Sequence, residues 1–245
     1  MDADFGLAGK TILITGATSG IGLECARVFA ESGAALALCG RDSARLEGLR
    51  SEFPQASVFG LDIARGNLED FAAALPALDG AVLAAGIDAR APLKFLSEES
   101  AAEILRTNLV ANINLAGIFA RKRKINKGGS VVLLGSVAGF LADAGHLAYG
   151  VSKAGVLMLA KELAVEMAPR GIRVNAISPG LVKTPMTRKF IEENPELAAA
   201  DEKKYLLGYG EACSVANVAQ FLLSDASRWI TGANIVADGG YSCQK

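Results

Sequence analysis

Ser136, Tyr149 and Lys153 are the residues of this chain whose types and spacing suit proton chemistry. Tyr149 and Lys153 are four apart, and side chains at that spacing share one face of a helix. Val156, Leu159, Ala160, Leu163 and Met167 continue the helical pattern until Pro169-Arg170-Gly171 stops it. A free phenol titrates at about 10, and moving it to neutrality takes roughly 4 kcal/mol. An ammonium about 4 Å away, at an effective dielectric of about 20, supplies that much. The spacing therefore predicts a proton donor, Tyr149, whose pKa is lowered by Lys153. Ser136 follows the apolar run 131–134, at a strand tip where its hydroxyl can bond a substrate carbonyl. By itself the Tyr-x-x-x-Lys pair has a plainer reading, a chance pair on a solvated helix; the rest of the chain shifts the balance.

A second signal lies upstream. Thr15-Gly16-Ala17-Thr18-Ser19-Gly20-Ile21-Gly22 follows the apolar run 11–14 and opens a helical pattern. Gly16 allows a sharp strand-to-helix turn, while Gly20 and Gly22 let backbone approach a pyrophosphate and let helix pack on sheet. Phosphates then sit at a helix N-terminus, where unpaired N–H groups and the dipole favour negative charge. The spacing GxxxGxG is neither the GxGxxG fingerprint nor the GxxxxGK[ST] of nucleotide triphosphatases. A glycine loop after a first strand, joined to the tyrosine motif, implies hydride transfer with a nicotinamide dinucleotide. At the end of the second strand an acid would bind ribose hydroxyls; here Gly40 is followed by Arg41, whose planar guanidinium can hold a 2′-phosphate. NADP(H) is favoured. NAD(H) is the alternative, with Arg41 a solvated loop residue beside Asp42, a helix N-cap candidate.

These residues need a scaffold. Strand-like runs at 11–15, 35–39, 58–61, 81–84, 131–134, 172–177 and 234–237 alternate with helical patterns. The alternation predicts one α/β domain over 1–245, a doubly wound Rossmann fold whose central parallel sheet has about seven strands and binds its ligand at the carboxyl edge. A chain of 245 residues that is 51% hydrophobic can bury a large core, and a formal net charge of −1 points to no nucleic-acid or membrane partner. Met1-Asp2-Ala3-Asp4 lacks a signal peptide's basic start and apolar stretch, and residues 128–142 are interrupted by glycine and serine. Cys25, Cys39, Cys213 and Cys243 form no CxxC, and the single His146 leaves no metal cluster to build. A reduced cytoplasmic setting is expected. His146, three residues before Tyr149, either lines a substrate mouth or is structural or merely exposed.

Further motifs carry a resemblance. Leu7-Ala8-Gly9-Lys10 leads into the glycine loop, Asp62-Ile63 follows the third strand, and Asn108 stands in Thr107-Asn108-Leu109. Asn175-Ala176-Ile177-Ser178-Pro179-Gly180, then Thr184, Ile230-Thr231-Gly232 and Asp238-Gly239-Gly240, complete the order. Over nearly its whole length the chain resembles the short-chain dehydrogenase/reductase family, most like the 3-oxoacyl-carrier-protein reductase branch. The resemblance implies a catalytic tetrad of Asn108, Ser136, Tyr149 and Lys153. It implies cofactor contacts from Gly16, Thr18, Ser19, Gly20, Ile21 and Gly22, and from Asp62 and Ile63 around the adenine. Ala85, Gly86, Pro179, Gly180 and Val182 would continue the cofactor wall, with Thr184 on the carboxamide, and Tyr149 and Lys153 also touching the cofactor. Leu83-Ala84-Ala85-Gly86 departs from the family's Asn-Asn-Ala-Gly, which predicts some loss of stability rather than of chemistry. The segment 65–80 is short for the helix it must contain.

The implied reaction delivers hydride from nicotinamide C4 to a carbonyl while Tyr149 donates the proton. Ser136 would orient the carbonyl oxygen, Lys153 hold the ribose, and Asn108 support a water relay or shape its helix. Residues 185–210, with Pro185, Met186, Phe190, Ile191, Tyr205 and Leu206, are expected to form a mobile lid apolar enough for an acyl chain or a ring. A 3-oxoacyl thioester is the implied substrate. The alternatives are another secondary alcohol (a sugar, a steroid or a small cyclic alcohol) and a non-catalytic cofactor-binding regulator, against which the intact tetrad argues. Arg121-Lys122-Arg123-Lys124, with Lys127 and Arg170, is a dock for an acidic acyl-carrier protein, a solvated helix end or a subunit contact. The resemblance also implies a homotetramer or homodimer built on helices 97–121 and 149–168.

Overall fold

The computed structural model describes residues 5–244; residues 1–4, on which the reading of the N-terminus rests, and Lys245 lie outside the described residues. In β1 (Thr11–Thr15) successive side chains point to opposite faces, and both faces are apolar. Leu13 joins one core cluster, Ile12 and Ile14 the other. A strand buried on both sides needs helices on both. Phe29 of α1 (Gly20–Glu31), Leu46 of α2 (Ser43–Glu52) and Val215 of α9 (Ala212–Leu223) supply one cover. Phe71 of α3 (Leu68–Ala74), Leu115 of α5 (Ala111–Lys122) and Val156 of α6 (Leu147–Met167) supply the other.

The remaining strands of the sheet are β2 (Ala35–Gly40), β3 (Ser57–Gly60), β4 (Leu78–Leu83), β5 (Ile125–Leu134), β6 (Arg173–Pro179) and β9 (Asn234–Ala237). Their order is β3-β2-β1-β4-β5-β6-β9, with every pairing parallel. The chain winds outward from β1 to β3, then returns to β4 on the other side of β1. Ligand clefts form at such a reversal, outside the carboxyl ends of the strands. Between β6 and α9 run β7 (Val182–Lys183), α7 (Pro185–Glu193), α8 (Pro195–Glu202) and β8 (Gly210–Glu211), β7 pairing with β8. Among the described residues no helix is long and apolar enough to cross a membrane.

Two elements, β5 and the helix expected over 97–121, differ from the sequence reading. β5 starts at Ile125 rather than 131, because Gly128 and Gly129 interrupt the apolar run without ending the strand. A Cβ at Gly129 would stand 2.7 Å from the Asp79 carbonyl oxygen, so glycine is what lets the two chains pass. The expected helix 97–121 divides into α4 (Glu98–Leu105), a π-helical turn Arg106–Val110 and α5. The short segment before β4 does hold a helix, α3, capped by Asn67 Oδ1 on Glu69 N at 3.0 Å and Asp70 N at 3.2 Å. Where the family's two asparagines are missing, Leu83 is 1% exposed in one core and Ala84 packs against the other.

Candidate active site

At the end of β1 the Thr15 hydroxyl accepts Ala85 N at 3.3 Å, and Gly16 then takes φ +69°. A Cβ on Gly16 would lie 2.8 Å from Ala85 Cα, and one on Gly22 2.3 Å from the Gly16 carbonyl oxygen. Only glycine fits either place. The turn delivers α1, whose N-terminus has no side-chain cap from Ser19 and no acid in its first turn. Its leading N–H groups and positive dipole end are left to the cleft, a donor set that fits a pyrophosphate. The cleft measures about 430 Å³ and is lined by every residue assigned to the cofactor from sequence, from Gly16, Thr18, Ser19, Gly20, Ile21 and Gly22 to Arg41, Asp62 and Ile63. Ala85, Gly86, Pro179, Gly180, Val182 and Thr184 complete its walls.

Arg41 is exposed at one end of the cleft, with Arg45 beside it. Arg45 Nε lies 3.3 Å from Asp42 Oδ2, while Asp42 Oδ1 accepts Arg45 N at 3.2 Å, so the acid nearest Arg41 is committed to the start of α2. A Cβ on Gly40 would stand 2.4 Å from Thr18 Cγ2, which leaves no room for an acidic side chain while Thr18 stays in place. Asp62 Oδ1 accepts Ala64 N at 2.9 Å, fixing its own turn. Thr184 N donates to Thr187 Oγ1 at 3.0 Å, and the Thr184 side chain lies 3.4 Å from a Cβ built on Gly20. Thr184 thus starts α7 directly over the glycine loop.

At the other end stand Ser136, Tyr149 and Lys153. Ser136 Oγ accepts Ala138 N at 3.2 Å, which fixes the turn after β5. Lys153 is buried, donates from Nζ to the Leu134 carbonyl at 2.8 Å and sits 5.5 Å from the centroid of the Tyr149 ring. Burial pushes the Tyr149 phenol up to about 12, against the pull of a hydrogen bond with Ser136; the Asp88 charge adds to the rise. Burial also lowers the Lys153 ammonium to about 8, opposed by Asp88. This corrects the expectation that Lys153 brings Tyr149 toward neutrality. Enclosure in protein disfavours both charged forms and is the largest cause of each shift. The tyrosine is held as a neutral phenol, a proton donor.

Asn108 does not line this cleft; it lies at the centre of the π-helical turn, 1% exposed. Its Oδ1 accepts Ile87 N at 2.8 Å, and its Nδ2 donates to Ile87 O at 2.9 Å and Ser152 Oγ at 3.0 Å. The Ser152 hydroxyl donates in turn to the Tyr149 carbonyl at 2.7 Å. The amide therefore clamps the loop after β4 to α6. Sequence reasoning missed Arg45, whose one signal was its place four residues after Arg41. It also missed Asp88, Arg90 and Asp143, which gather around His146 beside Tyr149. No motif marked them, since they come from two separate loops.

Residues 16–242 match the family model described as Enoyl-(Acyl carrier protein) reductase. The 3-oxoacyl-[acyl-carrier-protein] reductase of Rickettsia felis is 34% identical over 238 residues, covering 96% of this chain and 97% of that protein. The galactitol 2-dehydrogenase (L-tagatose-forming) of Cereibacter sphaeroides is 36% identical over 256 residues, covering 97% of each. Among solved structures, a gluconate 5-dehydrogenase from Burkholderia cenocepacia J2315, in complex with NADP and tartrate, superposes with a TM-score of 0.87. It shares 31% identity over 98% of this chain and 97% of that one. The chain is thus matched along almost its full length by relatives at 31% identity or more, and it belongs to the short-chain dehydrogenase/reductase family, NAD(P)-dependent oxidoreductases that interconvert C=O and CH–OH.

Proposed function

We propose that this protein is an NADPH-dependent reductase in which Tyr149 protonates a substrate carbonyl. The observation that carries the reading is a cleft that joins a half-buried phenol held in its neutral form, with Ser136 and Lys153, to the guanidinium pair Arg41 and Arg45. NADP bound to the Burkholderia relative supports the same cofactor. When bound, NADPH supplies the hydride. Arg41 and Arg45 hold the 2′-phosphate, and the open N–H groups of α1 hold the pyrophosphate. Ser136 donates to the carbonyl oxygen, and Tyr149 passes its proton to that oxygen as it becomes an alcohol. The Lys153 ammonium offsets charge left on the phenolate, and Asn108 keeps the loop after β4 against α6.

A 3-oxoacyl thioester is the leading substrate, supported by the Rickettsia relative and by exposed apolar side chains on residues 185–210, such as Met186 and Leu206. A polyol or ketose is the second reading, favoured by the charged side chains Asp88, Arg90, Asp143 and His146 at the mouth and by the Cereibacter relative. Docking of an acyl-carrier protein has weaker support. Glu69 already pairs with Arg121 at 2.7 Å and Lys122 at 2.9 Å, and Lys124 Nζ bonds the Leu75 carbonyl at 2.7 Å. Exposed Ile113 on α5, with Val151, Met158 and Val165 on α6, supports a homodimer or homotetramer. The free thiols of Cys25 and Cys39, both buried, suit a reduced cytoplasm.

Cofactor oxidation, followed by absorbance with NADPH and then NADH against an acetoacetyl thioester, small ketones and ketoses, tests this reading. Fast NADPH-dependent turnover of the thioester is expected; turnover of a ketose alone would move the substrate to the second reading. Silence across the panel, with cofactor bound, would overturn the enzymatic reading. Tyr149→Phe should retain cofactor binding and lose roughly 10²- to 10⁴-fold in turnover, the range for a general acid. Unchanged turnover would remove Tyr149 from the mechanism.

A further inference from the structure

Three segments meet at the mouth of the cleft beside Tyr149: the loop after β4, the turn before α6, and α7. Arg90, on the first, touches the other two. Its Nε donates to His146 Nε2 at 2.9 Å, its Nη2 pairs with Asp143, and its guanidinium carbon lies 5.9 Å from the centroid of the Phe190 ring on α7. Ala91 N also donates to the Gly145 carbonyl at 3.0 Å, so the two loops are bound through backbone as well. One side of Arg90 is therefore anchored to the body of the protein. On the other side its guanidinium carbon lies over the ring of Phe190 on α7.

The helix opposite is poorly held. No residue of α7 is buried, and it packs mainly on α8 and β7. Segments that bury little open at low free energy. Its N-terminal turn is tied to β7, Thr187 Oγ1 donating to the Val182 carbonyl at 2.6 Å, and the Arg90–Phe190 contact adds a tie across the mouth farther along the helix.

We infer that Arg90 is a positioning residue that clasps α7 across the mouth of the cleft through Phe190. The inference rests on reading residues 185–210 as a lid. His146 serves the clasp as an acceptor. Its Nε2, which accepts from Arg90, also lies 3.4 Å from Asp88 Oδ2, and its Nδ1 lies 3.4 Å from Asp143 Oδ2, so the ring is held from both sides. The imidazole also packs against the proton donor, with ring centroids of His146 and Tyr149 5.8 Å apart. A closed clasp shields the phenol from water during proton transfer, and its release lets product leave. Arg90 does this without touching the reacting atoms.

Hydrogen exchange read by mass spectrometry on the full chain with NADPH tests the clasp without needing the substrate. In Arg90→Ala, exchange over residues 185–193 should rise roughly two- to fivefold, with β5 and β6 unchanged. Phe190→Leu, a surface change that leaves the two loops intact, should raise the same peptide, and the double variant should add little. No change in either variant, additive changes, or a wild-type α7 already unprotected would overturn the inference. With acetoacetyl thioester as substrate, Arg90→Ala should raise KM while NADPH affinity holds. Failure of the wild-type protein on that thioester would count against the substrate reading alone, because exchange still decides the clasp.

Discussion

Burial acts on Tyr149 and Lys153 against the charge of each, and that has consequences at the scale of single residues. Lys153 titrates at about 8 in the fold and at 10.5 in an unfolded chain. Between those values the unfolded state binds more protons, so this group makes stability rise with pH across that window. Below about 8 the full cost of enclosing the ammonium is present. Lys153→Met should therefore be more stable than wild type at pH 7, by about 2 kcal/mol, with the advantage gone near pH 10. Urea unfolding of both proteins at the two pH values checks it; a constant difference would mean that Lys153 is not titrating. The pairing of Tyr149 with Lys153 was legible from their spacing. The direction of the tyrosine shift was not, since desolvation depends on what packs around the pair, and that comes from β5, the loop after β4 and α6 together.

At the scale of elements, the helical path α4–α5 shows what periodicity conveys and what it hides. The sequence marks a long helix over 97–121 but not the π-helical turn within it, because the stretches on either side each read as helix and are too short to show the phase shift of about 100° that one extra residue makes. The turn is held by side chains. Asn108 spends its amide on Ile87 and Ser152, and Asn112 Nδ2 donates to the Asn108 carbonyl at 2.8 Å. Asn112 is 2% exposed, so its loss leaves that carbonyl without the bond in a dry place. Asn112→Ala should cost about 1–3 kcal/mol by denaturant midpoint and lower turnover more than cofactor affinity, because the π-helical turn sets the loop beside Tyr149 rather than the glycine loop. An equal loss of both would place the turn's role in overall stability. β5 carries the same lesson from the strand side. Gly128 and Gly129 hid its first half from a reading based on apolar runs, although close passage past Asp79 is the reason for Gly129.

For the whole molecule, the cleft crosses the reversal in the sheet and is lined from the carboxyl ends of β1, β2, β4, β5 and β6, so one ligand there would bridge all five. That placement was legible, because alternating strands and helices with a glycine loop after the first strand admit few other topologies. Residues 185–210 were legible as a segment, but Arg90 opposite them was not, since no local pattern says which loop will face that segment. A ligand that binds across the reversal stabilises both core clusters at once, and its affinity is readable in unfolding. At a free concentration about 100 times Kd, NADPH contributes about 2.7 kcal/mol. For a chain of this size that is a rise in Tm of roughly 5–10 °C. On the proposed reading, in which Arg41 would hold the 2′-phosphate, Arg41→Ala should weaken NADPH roughly 10- to 100-fold. At the same concentration the shift then falls to between roughly 1 and 5 °C, whereas the NADH shift stays as in wild type. Equal shifts from NADPH and NADH in wild type would remove Arg41 from cofactor selection. A shift lost for both cofactors in Arg41→Ala would mean that the residue supports the cleft itself, not the choice between them.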